Sequence, residues 1–287
     1  MEYKAASSFS SEILSDLFND AFSNYIHGPV HVTPAIMEKF QVREGIDPDL
    51  SRIFVQNGTP IGFGYIAVRG SACRLAGMGV ITSKAEKGVG TSAMVHLIQE
   101  ARERGSTSME LEAFKQNSRA IRLYSRAGFV VLRHLVGWDG ESPASTGGVD
   151  GPSLDAGLET ISIAEVAAVL TQHGSPDLPW QLTGPTIVHR EAPDVAYRLG
   201  DAYVVISDPT AEVIKVHSFI VTRESRRRGQ ATKLVEAVFA RHPEKKWTLL
   251  PIFPEDYGVE LAVKSGFKKQ DLVQVQMRLD LATLGEA

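Results

Sequence analysis

The chain has 287 residues, about two domains' worth by the usual size of domains. Hydrophobic residues make up 43% of it and charged residues 22%, which is enough apolar material for ordinary cores and excludes an intrinsically disordered chain. The net charge of -4 gives no reason to expect nucleic acid or a membrane as partner, and the single cysteine, Cys73, excludes a disulfide framework and a multi-cysteine metal site.

Targeting and membrane signals are absent from the sequence. No apolar run reaches the ~20 residues that a membrane-spanning helix needs. The first residues, Met1-Glu2-Tyr3-Lys4, lack the apolar core of a signal peptide. We therefore expect a soluble, cytoplasmic protein, and we predict no metal site.

The first eighty residues predict a mixture of strands and helices. The expected elements are a short edge strand within residues 1–8, helices over about 11–22 and 34–45, and strands over 52–56, 60–68 and 73–81. Pro34 suits the first position of the second helix, and Asn57-Gly58 is a strong hairpin signal between two strands. The loop between the two helices, residues 24–31, carries one tyrosine and two histidines.

A glycine loop follows the strand that ends near Ile81 and precedes a helical run from Thr91 to Arg104. Gly88 and Gly90 let the backbone approach a ligand closely, and the amides of the next helical turn have no intrahelical partner. Such a loop suits a phosphate. The dinucleotide fingerprint is excluded because Ala93 stands where its third glycine should be, and no Gly-Lys-Ser/Thr follows.

A second signature lies between Asn117 and Phe129, after a strand over residues 108–112. The apolar face of a helix is formed by residues at i, i+3, i+4 and i+7, namely Ala120, Leu123, Tyr124 and Ala127. Asn117 is expected to cap this helix, Gly128 to end it, and Phe129 to begin a strand.

The order strand, glycine loop, helix, strand, Asn-x-x-Ala-x-x-Leu-Tyr-x-x-Ala-Gly-Phe resembles the acetyl-CoA-binding core of the GCN5-related N-acetyltransferases, the GNAT superfamily. The loop of that family is usually Gln/Arg-x-x-Gly-x-Gly/Ala. This chain matches it at Gly88 and Gly90 and departs from it at Ala85. The departure removes one side-chain hydrogen-bond donor, but the backbone amides that would bind the phosphate remain.

The resemblance implies an N-acetyltransferase that uses acetyl-CoA as co-substrate and transfers its acetyl group directly to a primary amine of a small molecule. The cofactor-binding residues it implies are Met78, Val80, Lys84, Lys87, Gly88, Val89, Gly90, Thr91, Asn117 and Tyr124. Tyr124 would be the general acid for the leaving thiolate, and Asn117 would belong to the catalytic set. The acceptor wall would include Tyr25, His27 and His31, which do not identify the amine.

For the general base we predict Glu112, with Glu110 as the second choice. The two glutamates alternate with Leu111 on one strand and therefore share a face of the sheet. Three arginines on the outer side of the second helix could meet the 3′-phosphate end of the cofactor or simply face solvent: Arg119, Arg122 and Arg126.

A composition change divides the chain. Residues 139–156 are small, polar and rich in Gly, Ser and Pro, which indicates a linker between domains at 1–138 and 157–287. Beyond it we predict a helix over 163–170, a segment of uncertain structure over 175–185, and strands over about 197–199, 202–206 and 213–221.

The second half repeats the first. Arg226-Arg227-Arg228-Gly229-Gln230-Ala231 fits Arg-x-x-Gly-x-Ala and opens a helix over 231–241. The glycine loops lie 141 residues apart and the Gly-Phe pairs 138 apart, so the sequence predicts an α+β protein of two tandem GNAT-like domains. Each should be a mixed, mostly antiparallel twisted sheet flanked by helices. The candidate cofactor residues of the second copy are Phe219, Val221, Arg226, Arg228, Gly229, Gln230 and Ala231.

Each copy has lost a different part. Counted back from Gly266-Phe267, the places of Asn117 and Tyr124 hold Glu255 and Ala262, so the second copy lacks the expected acid. We therefore expect a catalytic first domain and a degenerate second domain that shapes the acceptor cleft or contributes to a homodimer. One alternative reverses these roles, and another makes the protein a non-catalytic acyl-CoA-binding or regulatory module.

Overall fold

The computed structural model of the protein describes residues 1–26, 28, 30–81, 83–84, 86–143 and 156–282. The chain divides into two compact units. Unit 1 comprises Met1–Arg133 with Val275–Ala287, and unit 2 comprises His134–Gln274. Both units have an α+β fold with a mostly antiparallel sheet, as predicted.

The elements of the first half, in chain order, are β1 (Glu2–Ala5), α1 (Ser11–Ala21), α2 (Pro34–Glu44), β2 (Arg52–Gln56), β3 (Thr59–Arg69), β4 (Ala72–Val80), α3 (Val89–Glu103), β5 (Ser108–Phe114), α4 (Ser118–Arg126) and β6 (Val130–Glu141). Those of the second half are β7 (Glu159–Ile161), α5 (Ile163–His173), α6 (Gly184–Ile187), β8 (Val195–Leu199), β9 (Ala202–Ile206), β10 (Val213–Val221), α7 (Gln230–Arg241), β11 (Lys246–Pro254), α8 (Val259–Lys264) and β12 (Lys268–Asp280).

The ends of the second helix and the hairpin turn predicted for the first half are confirmed. The Thr33 hydroxyl accepts a hydrogen bond from the Ile36 amide at 3.3 Å at the start of α2, and Gly45 ends that helix with φ of 69°. Asn57 and Gly58 both have positive φ, 51° and 76°, as a two-residue hairpin of type I′ requires. These local signals correctly set the ends of α2, β2 and β3.

The sheet of unit 1 runs β1-β2-β3-β4-β5-β12. Strands β1 to β4 pair antiparallel in succession, and β4 runs parallel to β5. The β4–β5 ladder extends only from Ala72 opposite Ser108 to Arg74 opposite Glu110, although β4 continues to Val80 and β5 to Phe114. The backbone at the carboxyl ends of these two strands is therefore available to a ligand.

Two cores cover the two faces of this sheet. The core that includes α3 contains Met94 and Leu97 together with Met109 and Leu111 of β5. The core that includes α1 and α2 contains Leu14, Leu17 and Met37. Because alternate residues of a strand point to opposite faces, Leu111 in the first core places Glu110 and Glu112 on the face toward α1 and α2.

The predicted domain boundary is corrected at its C-terminal end. Residues 275–280 of β12 belong to unit 1, where Val275, Met277 and Leu279 are buried in one core with Met109 and Leu111. The last residues of the predicted second domain, 157–287, therefore belong to unit 1. The alternation of apolar residues indicates a strand, but it does not indicate which sheet the strand joins.

The start of the predicted linker is also corrected. Residues 139–141 continue β6 and pair with β11, with Asp139 opposite Thr248 and Glu141 opposite Lys246. The Ser142 hydroxyl then donates to the carbonyl of His242 at 2.7 Å. The composition of residues 139–141 is typical of a turn, but these residues form a strand because pairing with β11 gives their backbone amides and carbonyls hydrogen-bond partners. Residues 144–155 lie outside the described part of the chain.

The sheet of unit 2 runs β6-β11-β10-β9-β8-β7. Its parallel pair is β10 and β11, whose ladder covers only Val213–Val216 of the nine-residue β10. The predicted helix over 231–241 is confirmed as α7. The segment left undefined by the sequence contains a 3₁₀ turn, Trp180–Leu182, followed by α6.

Candidate active site

A groove of about 810 Å³ opens in unit 1 at the carboxyl end of β4, between the first turns of α3 and the face of α4. It lies where the β4–β5 ladder has ended. The predicted cofactor residues that line it are Met78, Val80, Lys87, Gly88, Val89, Gly90, Thr91, Asn117 and Tyr124. The structure therefore brings nine of the ten predicted cofactor residues to one surface.

The glycine loop has the backbone conformation that an anion site needs. Gly88 is the N-cap of α3 with φ of +98°, a region that L side chains avoid, and as a glycine it offers no side-chain acceptor to the first helical amides. The first amides of α3 have no intrahelical acceptor and lie at the positive end of the helix dipole. A Cβ at Gly90 would lie 3.7 Å from the Leu123 side chain, so α4 packs closely there. Ala85, the departure from the family loop, lies outside the described residues.

Basic side chains add to the positive potential of the groove. Lys87 lines it beside the loop, and the three arginines of α4, Arg119, Arg122 and Arg126, line it from the other side. Cations placed around a helix N-terminus favour a phosphate-bearing ligand. Lys84, the tenth predicted cofactor residue, instead pairs with Asp20 at 3.3 Å, with both side chains about half exposed.

Tyr124 lies in the wall of the groove and is 8% exposed. Its ring packs edge-on to Phe129 at 6.0 Å between centroids. Burial, and to a smaller extent the nearby Tyr25, raise the pKa of the Tyr124 phenol above its ordinary value. The phenol therefore keeps its proton at neutral pH and can donate a hydrogen bond.

Asn117 has a local structural role at the same place. Its side-chain oxygen accepts a hydrogen bond from the Ala120 amide at 3.1 Å and caps α4. The cap fixes the start of the helix that carries Tyr124.

Of the three residues predicted for the acceptor wall, the structure places one in the groove. Tyr25 lines the groove and packs against Phe22 at 4.8 Å and Phe114 at 5.8 Å, and burial raises the pKa of its phenol. His31 is exposed, and His27 lies outside the described residues. Phe22 also lines the groove, although the helical spacing that it shares with Leu14 and Phe18 predicts only a core position.

The two candidate bases have different surroundings. The side chain of Glu112 is 4% exposed and accepts a hydrogen bond from Arg74 at 2.8 Å, and Arg74 also pairs with Glu44 at 3.0 Å. Glu110 is part-buried and accepts from Gln276 at 3.3 Å, and burial raises its pKa. The raised pKa of Glu110 is the direction that suits a general base. Neither glutamate, however, is among the residues that line the groove.

The corresponding loop of unit 2 also has its glycine in the left-handed region, with Gly229 at φ of +75° before α7. The guanidinium of Arg226, however, donates to two main-chain carbonyls, those of Val221 at 3.1 Å and His173 at 2.6 Å. The carbonyl of Phe219, which corresponds to Met78 in the repeat, accepts from the Tyr257 hydroxyl at 3.3 Å. Arg228 is exposed.

Among the helices of the described residues, none combines the length and the apolar character that crossing a bilayer requires.

Comparison with known proteins gives a family match for part of the chain and a fold for nearly all of it. Residues 12–129 match the model of the acetyltransferase (GNAT) family. No curated protein matches the chain in sequence.

Solved structures resemble nearly the whole chain. A putative acetyltransferase from Pyrococcus horikoshii is 15% identical, with a TM-score of 0.64 over 97% of this chain and 88% of its own. A GCN5-related N-acetyltransferase from Sphaerobacter thermophilus is 14% identical, with a TM-score of 0.63 over 94% and 92%. A tandem GNAT protein from the clavulanic acid biosynthesis pathway is 16% identical, with a TM-score of 0.61 over 95% and 97%. At these identities the likeness concerns the fold.

Proposed function

We propose that unit 1, whose residues 12–129 match the model of the acetyltransferase (GNAT) family, transfers an acetyl group from acetyl-CoA to a primary amine of a small molecule. Members of that family use acyl-CoA. The observation that carries the proposal is the groove itself, which has the Gly88 loop and Tyr124 in its walls. The reaction would take place in the cytoplasm, with neither nucleic acid nor membrane as partner.

The roles of the residues follow from where they lie. The α3 amides after Gly88, with Lys87 beside them, would bind the pyrophosphate, and the backbone of β4 at Met78 and Val80 would bind the pantetheine arm. Beyond the end of the β4–β5 ladder, the thioester would then lie beside the Tyr124 phenol.

The reaction would proceed by direct attack. The neutral amine nitrogen bonds to the thioester carbonyl carbon, the carbon–sulfur bond breaks, and the nitrogen loses a proton to a base or to water. The leaving sulfur takes a proton from the Tyr124 hydroxyl. A phenol is a weak acid in bulk water, but within ~3 Å of a developing thiolate it donates effectively.

In this proposal unit 2 is an accessory domain, because it has Ala262 in place of the tyrosine and because the Arg226 guanidinium is already bonded to carbonyls. The specific observation that favours the reverse assignment is the intact Arg-x-x-Gly-x-Ala loop with Gly229 in the left-handed region.

The function is tested by release of free CoA thiol from acetyl-CoA in the presence of amines, amino acids, polyamines and aminoglycosides. We expect at least one small primary amine to stimulate release, and calorimetry to find one acetyl-CoA site per chain. Tight acetyl-CoA binding with no stimulation by any amine would favour the non-catalytic binding module. Absence of acetyl-CoA binding would contradict the proposal.

The general base is tested by the pH dependence of kcat/KM. Since burial raises the pKa of Glu110, and a base must be deprotonated to act, we expect the rate to rise with pH through an acid limb above the ordinary glutamate value of ~4.3. Glu110→Gln should abolish that limb and lower the rate by ~10²-fold. Glu112→Gln is the matched control, which should keep the limb while lowering the melting temperature, because it weakens the buried pair with Arg74. Loss of the limb in Glu112→Gln with retention in Glu110→Gln would instead assign the base to Glu112.

A further inference from the structure

In unit 2 the ladder between β10 and β11 ends at Val216, five residues before the end of β10. Just past that strand, the Thr222 amide donates to the carbonyl of Asp201 on the β9 side. Because successive residues of a strand direct their backbone groups to opposite edges, the carbonyls of Phe219 and Val221 face the other way, toward β11. The matching edge of β4 is where unit 1 would bind the pantetheine arm.

Two side chains of unit 2 already bond to these two carbonyls. The Tyr257 hydroxyl donates to the carbonyl of Phe219 at 3.3 Å, and the Arg226 guanidinium donates to that of Val221 at 3.1 Å. The two donors are neighbours, since the charge of Arg226 partly offsets the rise that burial causes in the pKa of the Tyr257 phenol. Both carbonyls of this edge therefore have a partner from the chain itself.

Unit 1 has different residues at both positions. By the spacing of the repeat, Arg226 corresponds to Ala85 and Tyr257 to Arg119. Alanine has no side-chain donor, and Arg119 lines the groove. Both donors of unit 2 are thus replaced in the unit that has the open groove.

Displacing the two donors would bring a ligand little gain. A pantetheine amide that bonded to β10 would exchange one hydrogen bond for another at each carbonyl, so the net number of bonds would not rise. The Tyr257 ring also lines an apolar space with Leu261 and Ala262, and moving the ring aside would expose apolar surface to water. Arg226 is held further by its bond to the carbonyl of His173 at 2.6 Å.

We propose that Tyr257 and Arg226 form an internal plug, which closes the cofactor site of unit 2 by occupying the two carbonyls that a pantetheine arm would need. The phosphate loop behind the plug keeps its conformation, with Gly229 at φ of +75° and Arg228 exposed. The plug, and not the loop, is what keeps acetyl-CoA out of unit 2. The inference rests on the function proposed for unit 1, which supplies the ligand for its test.

The test replaces the plug by the residues of unit 1, in a full-length protein that carries Arg226→Ala and Tyr257→Arg together. Calorimetry should count one acetyl-CoA per chain in the wild type and two in this double variant. Adding Gly229→Val to the double variant should return the count to one, which places the second site at the loop of unit 2. Circular dichroism and thermal melting check that each variant is folded.

Asp256→Arg is the matched control, because it adds the same cation at the exposed neighbouring position and keeps the plug. It should bind one acetyl-CoA. If the double variant does not fold, the milder pair Arg226→Met and Tyr257→Phe removes the same two donors while keeping most of their bulk, and it should also bind two.

The plug is overturned if a folded pair of either kind binds no more acetyl-CoA than the wild type, or if the added site survives Gly229→Val. Failure of the function proposed for unit 1 gives a different result. The wild type would then bind no acetyl-CoA, whereas the double variant would still gain one site that Gly229→Val removes.

Discussion

Replacing Tyr124 by Phe is expected to lower kcat by ~10²- to 10³-fold while the dissociation constant of acetyl-CoA changes less than about twofold. The ring is 8% exposed and packs against Phe129, and Phe keeps this packing. Only the hydroxyl that would protonate the leaving sulfur is lost. Steady-state kinetics for kcat and calorimetry for acetyl-CoA separate the chemical step from binding.

Tyr25→Phe is the matched control for that variant. It removes a second hydroxyl from the same groove and leaves a ring that packs against Phe22 and Phe114. We expect it to change the KM of the amine more than kcat, because Tyr25 is predicted to lie in the acceptor wall. Unchanged kcat in Tyr124→Phe would rule out the phenol as the acid, whatever the control does.

The sequence predicted the fold well where local signals decide the structure. Thr33-Pro34 begins α2, Asn57-Gly58 makes the hairpin, and the predicted glycine loop leads into α3 with Gly88 as its N-cap. Each of these depends on backbone conformations that few residue types allow. The alignment of the two copies likewise rests on glycines with fixed spacing.

Long-range partners could not be predicted in the same way. The apolar alternation of residues 275–279 gives a strand, but only the folded structure shows that it packs against Met109 and Leu111. Glu112 is a similar case. Its place on the strand predicted a base, whereas the buried pair with Arg74 depends on a residue 38 positions away in the sequence.

Replacing Gly88 by Val is expected to weaken acetyl-CoA binding at least tenfold, which corresponds to about 1.4 kcal/mol. Gly88 has φ of +98°, where a β-branched residue is strained by ~1–3 kcal/mol. Open space surrounds the position of the new Cβ, so the strain comes from the backbone and not from a clash. The loop relieves it by changing its dihedral angles, and the α3 amides then no longer converge on a phosphate.

Gly229→Val imposes a comparable strain in unit 2, since φ at Gly229 is +75° and nothing lies near the position of its Cβ. If unit 1 alone binds the cofactor, this control should leave both the calorimetric affinity and the turnover at the wild-type level. Circular dichroism and thermal melting should show both variants folded, because each glycine lies in an exposed loop. Loss of binding in Gly229→Val with normal binding in Gly88→Val would instead assign the cofactor to unit 2, where the acid could not be a tyrosine at position 262.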